Sequence, residues 1–252
     1  MSEAAALNTA MGTLGAVVAN VTGIGGGVVF YPYLMFTQGD AGAALTNSVC
    51  TQIVGMGVGS LCWLLRYGMD RGFAIELFRV VLFGYLGMML GTTFLQLDQD
   101  TAFVVFTFST IGLCAISLRY RFRPQTFERT RNAKYGAAEK PLFFASGVLT
   151  SQISIGFGEC VMLIRYVLYG DFQQAVRLAV TSTAALLILF SLFNLPQAPD
   201  FGIVIFMATG TIPGAVIGFY LASRSRSETF KALVFKFLIA LSVLEMGLHF
   251  AA

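Results

Sequence analysis

Two glycine-rich segments interrupt long apolar stretches of this 252-residue chain, and their backbones could bind an anion. The first is VTGIGGGVVFYP, residues 21–32, and the second is SIGFGECV, residues 154–161. Each glycine costs a helix about 1 kcal/mol relative to alanine, so half-helices should restart after Gly27 and after Gly158. A helix start carries unpaired N–H groups and roughly half a positive charge. Such groups can hold an oxyanion without a buried lysine or arginine.

Small polar side chains near both segments could supply further hydrogen bonds to the anion. Hydroxyl and amide groups can replace part of the hydration of an oxyanion. For each Ser or Thr, close helix packing is the alternative interpretation, whereas the amides of Asn47 and Gln52 need partners in lipid. The predicted binding residues are Gly25, Gly26, Gly27, Val28, Thr46, Asn47, Ser48, Thr51, Gln52, Gln152, Gly156, Gly158, Thr181, Ser182 and Thr183. Ser151, just before the second segment, and Ser154, at its start, are further polar residues near this tip.

The composition places these residues in an integral membrane protein. Hydrophobic residues make up 56% of the chain and charged residues 12%, against about 25% charged in soluble domains, and the mean hydropathy is +0.76. A soluble globule, a disordered chain, a disulfide scaffold and a nucleic-acid binder are excluded. Helices are expected, because lipid does not tolerate open strand edges. The apolar stretches are roughly 5–36, 43–65, 73–95, 102–118, 141–169, 173–194, 201–223 and 229–250.

The sequence lacks the usual signatures of a cofactor, a metal site or a cleaved leader. One histidine and no CxxC pair leave no plausible zinc set, and there is no GxxxxGK[ST] nucleotide loop. We therefore predict no metal, no cofactor and no enzyme activity. The first residues carry no basic segment, so a cleavable signal peptide is not expected.

The two glycine segments belong to an internal repeat. A shift of 131 residues superposes the first segment on the second, and a four-residue insertion then brings 46–48 onto 181–183. The shift of 131 matches Ile24, Gly25, Gly27, Gly39 and Asp40 with Ile155, Gly156, Gly158, Gly170 and Asp171, in that order. A shift of 127 matches Gly87 and Gly91 with Gly214 and Gly218. The predicted organisation is a first repeat at 1–118, a basic cytoplasmic linker at 119–140 and a second repeat at 141–252.

The distribution of charge predicts the topology. Cytoplasmic loops collect Lys and Arg, but eight single crossings would put the basic loops 119–140 and 224–236 on opposite sides. If both glycine-broken stretches instead enter and leave on one side, all 16 Lys and Arg lie at the cytoplasmic face. The predicted fold is thus an all-α membrane protein with two inverted repeats, each a broken hairpin plus three transmembrane helices. The alternative is that each broken helix crosses once.

Inverted repeats with broken helices are the architecture of secondary transporters, whose substrates bind at the midplane. In such a protein Glu159 is a functional candidate, since ionisable groups are costly in lipid. It either couples transport to protons or pairs with Arg165 or Arg177, and these residues are the coupling or gating candidates. Cys50 and Cys160 lie nearby, but a buried cysteine is usually a small apolar residue.

The segment GIGGGVVFYPYLM, residues 23–35, resembles the opening motif of the sulfite exporter TauE/SafE family, in which a glycine cluster precedes an apolar run and Pro-x-Leu, here 32–34. The length, the basic central loop and the Gly-x-x-x-Gly pairs are similar too. The resemblance implies transport of small sulfur-containing anions such as sulfite, organosulfonates and sulfoacetate. The second segment departs from the family pattern at Phe157, Glu159 and Leu163, so its half-site can differ or contribute less.

The leading hypothesis is a secondary exporter of such an anion in the inner (cytoplasmic) membrane, with the anion between the two tips and one half rocking against the other. An anion channel and a non-transporting membrane subunit are the alternatives; an intramembrane enzyme would need a nucleophile and base that the sequence lacks. The expected partners are the anion and the lipid bilayer, with no nucleic acid. The small-residue helix faces also permit a homodimer.

Overall fold

A computed structural model describes residues 2–95, 97–121, 135–169, 171–224 and 228–251. Every regular element in these ranges is an α-helix, which confirms the predicted all-α class. The helices are α1 (Glu3–Thr22), α2 (Gly27–Gln38), α3 (Ala41–Tyr67), α4 (Arg71–Phe94), α5 (Gln99–Arg121), α6 (Tyr135–Ile153), α7 (Phe157–Tyr169), α8 (Phe172–Phe193), α9 (Phe201–Arg224) and α10 (Glu228–Ala251). Most of the predicted linker at 119–140 lies outside the described residues, as does Gly170.

Five of the described helices are long and apolar enough to cross a membrane by length and composition. These helices are α1, α3, α4, α8 and α9. Shorter apolar segments lie within α5, at Phe103–Ile116, and within α10, at Ala232–Leu244. The chain is therefore a multi-pass membrane protein. With 12 and 13 residues, α2 and α7 are shorter than a single span.

Both long apolar stretches break at their glycine segments. Gly23 ends α1 in the left-handed conformation, with φ of 75°, and its N–H bonds to the carbonyl of Ala19. In the second segment Ser154 has φ of 59° and Gly156 has φ of 116°. These values favour glycine, and they turn the chain back after each first arm. α2 begins at Gly27, and α7 begins at Phe157, slightly earlier than predicted.

The two halves of the chain are packed into each other. The most extensive helix pairs are α1 with α9 and α4 with α6, so each broken helix lies on the fourth helix of the other half. Glycines make this close approach possible: a Cβ on Gly87 would lie 2.0 Å from the carbonyl oxygen of Phe144, and one on Gly214 would lie 2.4 Å from that of Thr13. The Gly-x-x-x-Gly faces are thus used within the chain, and the homodimer stays a prediction.

Contacts between helix ends define two ends of the bundle. At the first, which we call the Asp40 end, Gln197 donates to Asp40 at 2.9 Å and joins the start of α3 to the loop before α9. At the second, the Arg66 end, Arg66 donates to Ser223 at 3.0 Å and joins the end of α3 to the end of α9. Arg177 of α8 donates to the carbonyl of Gly68 at this same end.

The two broken helices open onto different ends of the bundle. α2 runs from the first tip to Gly39 beside Asp40, and its Tyr33 donates to Asn8 of α1 at 2.6 Å. α7 runs from the second tip towards the Arg66 end, where Arg165 pairs with Glu76 near the start of α4. These are the contacts that two oppositely directed hairpins would make. The inverted-repeat relationship itself stays a prediction.

One expectation about the membrane boundary is wrong for Trp63 and stays a prediction for Tyr67. Trp63 and Tyr67, near the end of a span, suggest interfacial anchors, but the Trp63 side chain is 0% exposed. Its ring packs edge-on against Phe219 of α9, with centroids 5.0 Å apart, and stacks on Tyr67. Trp63 therefore belongs to the contact between α3 and α9.

Candidate anion-binding site

The two glycine tips lie side by side in the core. A Cβ on Gly27 would lie 2.1 Å from the carbonyl oxygen of Ser154, and one on Gly158 would lie 2.8 Å from that of Gly23 and 3.2 Å from the nitrogen of Gly25. Backbones can approach this closely only where side chains are missing. The glycines at the two tips are therefore required by the crossing of the segments as well as by their turns.

Two side chains of α3 hold the second tip. Gln52 donates from Nε2 to the hydroxyl of Ser154 at 2.6 Å and to its carbonyl at 3.3 Å. The hydroxyls of Ser48 and Ser154 are 2.9 Å apart. The other amide atom of Gln52, Oε1, would lie 2.9 Å from a Cβ on Gly25, so Gln52 contacts both tips. Its interactions explain why a serine tolerates the positive φ at position 154.

Thr183 of α8 approaches the same place from the other side. A Cβ placed on Gly158 would lie 3.0 Å from the hydroxyl oxygen of Thr183 and 3.2 Å from the nitrogen of Gly25. Thr183 is 3% exposed, and its hydroxyl has no hydrogen-bond partner. The buried hydroxyls of Thr51 and Thr181 also lack partners. Buried polar groups are normally hydrogen-bonded, so these hydroxyls are available to donate to a ligand.

Backbone donors at the first tip are left open. The N–H of Ile24 bonds to Thr22, and those of Val29 and Phe30 bond to the carbonyl of Gly26. Among the described residues no acceptor is assigned to the four N–H groups of Gly25, Gly26, Gly27 and Val28, which are all buried. Consecutive unpaired N–H groups at a helix start form a concave anion-binding surface.

The second tip is different, because its own side chains occupy the start of α7. Glu159 accepts from the N–H of Gly156 at 2.8 Å, and the hydroxyl of Thr150 accepts from the N–H of Phe157 at 2.9 Å. A glutamate that reaches back from the third helical position is one half of a capping box. Glu159 pairs with neither Arg165 nor Arg177; its second carboxylate oxygen is buried without a partner.

Several predicted residues lie away from the crossing. Asn47 accepts from the N–H of Asp200 at 2.8 Å and so fixes the loop before α9. Gln152 donates to the carbonyl of Gly91 on α4 at 3.1 Å, and Ser182 bonds to its own helix at Ala179. The hydroxyl of Thr46 is buried without a partner. The structure thus gathers Ser48, Gln52, Ser154 and Thr183 around the tips, with Gly25, Gly26, Gly27, Val28, Gly156 and Gly158.

The basic candidates lie at the Arg66 end. Arg165 forms an ion pair with Glu76 and a longer one with Glu139 at 3.6 Å. The guanidinium of Arg177 lies 3.9 Å from the centre of the Phe73 ring. Within the described residues no group of three or more His, Cys, Asp or Glu is placed to hold a metal ion.

Sequence reasoning missed the role of Thr150 at the second tip, and the caps of α3 and α8 favour a simpler register for the predicted repeat. Asp40 and Asp171 cap α3 and α8 through the same side-chain bond to the third following N–H. They are 131 residues apart, so no insertion is needed between the tips and these helices. The same shift pairs Gln52 with Thr183, and both contact the tips. The paired capping aspartates therefore favour a register of the predicted repeat without the four-residue insertion.

Helices that are broken in the core of a multi-pass membrane protein are a feature of many membrane transporters. The family model described as sulfite exporter TauE/SafE matches residues 9–244. The chain therefore belongs to the sulfite exporter TauE/SafE family, a family of membrane transporters for sulfite-type anions. Comparisons with curated proteins and with solved structures gave no match.

Proposed function

We propose that this protein is a secondary transporter that exports a small sulfur-containing oxyanion, sulfite or an organosulfonate, by alternating access. The anion binds where the two glycine tips cross, and transport rather than catalysis is its activity. The family supports the substrate class and its name supports export. Proton coupling through Glu159 would supply the energy in place of a nucleotide.

The open N–H groups of Gly25 to Val28 carry this proposal. The N–H of Gly25 and the unpartnered hydroxyl of Thr183 lie on opposite sides of one buried point, so a backbone donor and a side-chain donor converge there. The three oxygens of a sulfite or sulfonate group are strong acceptors that such donors can share.

The proposed location is the cytoplasmic membrane, with the Arg66 end in the cytoplasm. Arg66, Arg165, Arg177 and Arg224 all lie towards this end, and cytoplasmic loops collect basic residues. Single cysteines at Met69 and Gln197, in a chain without its native cysteines, would test it. An impermeant thiol reagent added to intact cells should label Gln197→Cys and spare Met69→Cys, and the reverse pattern would refute the orientation.

Transport of radiolabelled sulfite and sulfoacetate into proteoliposomes tests the function directly. A carrier gives uptake that saturates and is accelerated by unlabelled anion on the opposite side, whereas a channel shows no such counterflow. Empty liposomes and proteoliposomes with equal fluxes would support the non-transporting subunit instead.

Two glutamines give a matched pair of variants for placing the site. Gln52→Ala should weaken anion binding about 10-fold or more, because it removes the two bonds that hold Ser154 and the second tip in place, each worth roughly 0.5–1.5 kcal/mol. Gln152→Ala should leave binding unchanged, since Gln152 bonds to α4 rather than to the tips. Calorimetry on the purified protein measures both. Equal losses in the two variants would contradict this placement of the site.

A further inference from the structure

Two arginines at the Arg66 end lie against one aromatic ring. The guanidinium carbons of Arg66 and Arg177 are 5.5 Å and 5.9 Å from the centre of the Tyr67 ring. Neither arginine forms an ion pair with a described residue. The charge of Asp70 reaches Arg177 only through space, because its carboxylate caps α4 by accepting from the N–H of Phe73 at 2.8 Å. Two positive charges are therefore concentrated here without a carboxylate in contact with either.

Both guanidinium groups have unused hydrogen-bond donors. A guanidinium has five N–H donors, but among the described residues Arg66 donates only to Ser223, at 3.0 Å, and Arg177 only to the carbonyl of Gly68. Arg177 is 8% exposed, and its buried Nε has no hydrogen-bond partner. Leaving a buried charged donor unpaired is costly, so the arrangement calls for an acceptor from outside the chain.

The end of α3 lies at the boundary between the hydrocarbon and the lipid headgroups. Leu61 and Leu65 are 57% and 79% exposed, and they share one face of α3 because a helical turn contains about 3.6 residues. Exposed leucines on a membrane-spanning helix contact the acyl chains. Arg66 and Tyr67 follow in the last turn of α3, and arginine and tyrosine are favoured at the headgroup level. The two guanidinium groups therefore lie at the depth of the lipid phosphates.

We propose that Arg66 and Arg177 form a binding site for the phosphate of an anionic phospholipid; the proposal does not depend on the transport function. Guanidinium groups bind phosphate oxygens through paired N–H bonds, and basic pockets between transmembrane helices bind anionic headgroups. A phosphatidylglycerol headgroup carries one negative charge and no cation, whereas the ammonium of a zwitterionic headgroup would lie among like charges. One bound phosphate joins the end of α3 to the first turns of α8 and so stabilises this end of the bundle.

Thermal unfolding of the purified full-length chain in detergent tests the site. Fluorescence of Trp63, the single tryptophan, follows unfolding, and the probes are phosphatidylglycerol and phosphatidylcholine with the same acyl chains. Phosphatidylglycerol should raise the melting temperature by several degrees, because a ligand that binds only the folded state stabilises it, and phosphatidylcholine should raise it less. In Arg66→Gln the phosphatidylglycerol concentration that gives half of the rise should increase about tenfold or more.

Arg71→Gln is the matched control. Arg71 is exposed at the start of α4, so this change removes the same charge at the same end of the bundle and leaves both guanidinium groups at the Tyr67 ring. The concentration for half of the rise should change less than about twofold, since exposed charges contribute little. Equal losses in Arg66→Gln and Arg71→Gln would show that surface charge alone attracts the lipid, and would overturn the proposed site.

Two further outcomes would also overturn the proposal. Equal rises with the two lipids would show no preference for the anionic headgroup, and this comparison decides the matter even if Arg66→Gln did not fold. Inorganic phosphate at the same concentration, added without lipid, should leave the melting temperature nearly unchanged, because it has no acyl chains to lie against Leu61 and Leu65. A rise equal to that with phosphatidylglycerol would assign the site to a free anion instead.

Discussion

Alanine substitutions at three glycines should give a graded loss of transport that follows the spacing at the tips. The Cβ of Gly27→Ala would lie 2.1 Å from the carbonyl oxygen of Ser154, whereas Cβ contacts in proteins are essentially never below 3.0 Å. One tip must therefore move by about 1 Å, a displacement that can cost about 100-fold in rate. Such overpacking also destabilises a protein by about 1–3 kcal/mol.

Gly158→Ala is the intermediate member of the series, and Gly57→Ala is the control. At Gly158 the nearest atoms would be 2.8 Å and 3.0 Å from the new Cβ, so a shift of a few tenths of an ångström suffices and we expect a loss of about tenfold or less. At Gly57 on α3 nothing lies within 4 Å. Alanine there favours the helix by about 1 kcal/mol, so transport should be unchanged.

Initial rates of radiolabelled sulfite uptake into proteoliposomes, normalised to inserted protein, measure the series. Fluorescence of Trp63, the single tryptophan of the chain, follows thermal unfolding and separates a misplaced tip from a misfolded protein. Full transport by folded Gly27→Ala would refute the crossing of the tips. Equal losses in all three variants would show that alanine harms the protein for reasons unrelated to the tips.

Three further predictions concern stability. Ser154→Gly should leave the melting temperature nearly unchanged, because relief of a strain of about 1–2 kcal/mol at positive φ is offset by loss of the bonds from the hydroxyl to Ser48 and Gln52, worth about 0.5–1.5 kcal/mol each. It should weaken anion binding in calorimetry, and a melting temperature raised by several degrees would contradict this. Gly210→Ala should destabilise the protein by about 1–3 kcal/mol in thermal unfolding, because the new Cβ would lie 2.0 Å from the carbonyl oxygen of Thr9. An unchanged melting temperature would refute the close packing of α1 on α9. Asp98 caps α5 by accepting from the N–H and hydroxyl of Thr101, and these two bonds hold the pKa of Asp98 below its usual range. The cap is therefore complete above about pH 4 and is lost as the pH falls further. Loss of protection of the Thr101 amide in acid, with no such pH dependence in Asp98→Ala, would verify it.

The breaks in the two apolar stretches could be predicted from sequence because they follow from local chemistry. Gly23 and Gly156 adopt positive φ, which the glycine-rich segments make inexpensive. The common end of Arg66, Arg165, Arg177 and Arg224 among the described residues also agrees with a rule that acts on each loop separately. Both arguments need no knowledge of which helices touch.

The side chains around the tips were only partly predictable, because helix rotation decides which residues face the core. Asn47 and Ser48 are neighbours in the sequence, yet Asn47 bonds to the loop before α9 and Ser48 faces Ser154. Gln152 is equally close to its tip but turns towards α4. Successive residues of a helix point about 100° apart, so proximity in sequence does not establish proximity to a site.

The packing also constrains how access could alternate. The sequence suggested that one half rocks against the other, but α1 lies on α9 and α6 on α4. Their backbones touch at Gly214 and Gly87, where a Cβ would be 2.4 Å and 2.0 Å from a carbonyl oxygen. Packed surfaces of this kind have few alternative arrangements and move as units. A rocking motion would therefore carry α1 with α9 and α6 with α4, so that each moving unit combines helices from both halves and carries one tip past the other.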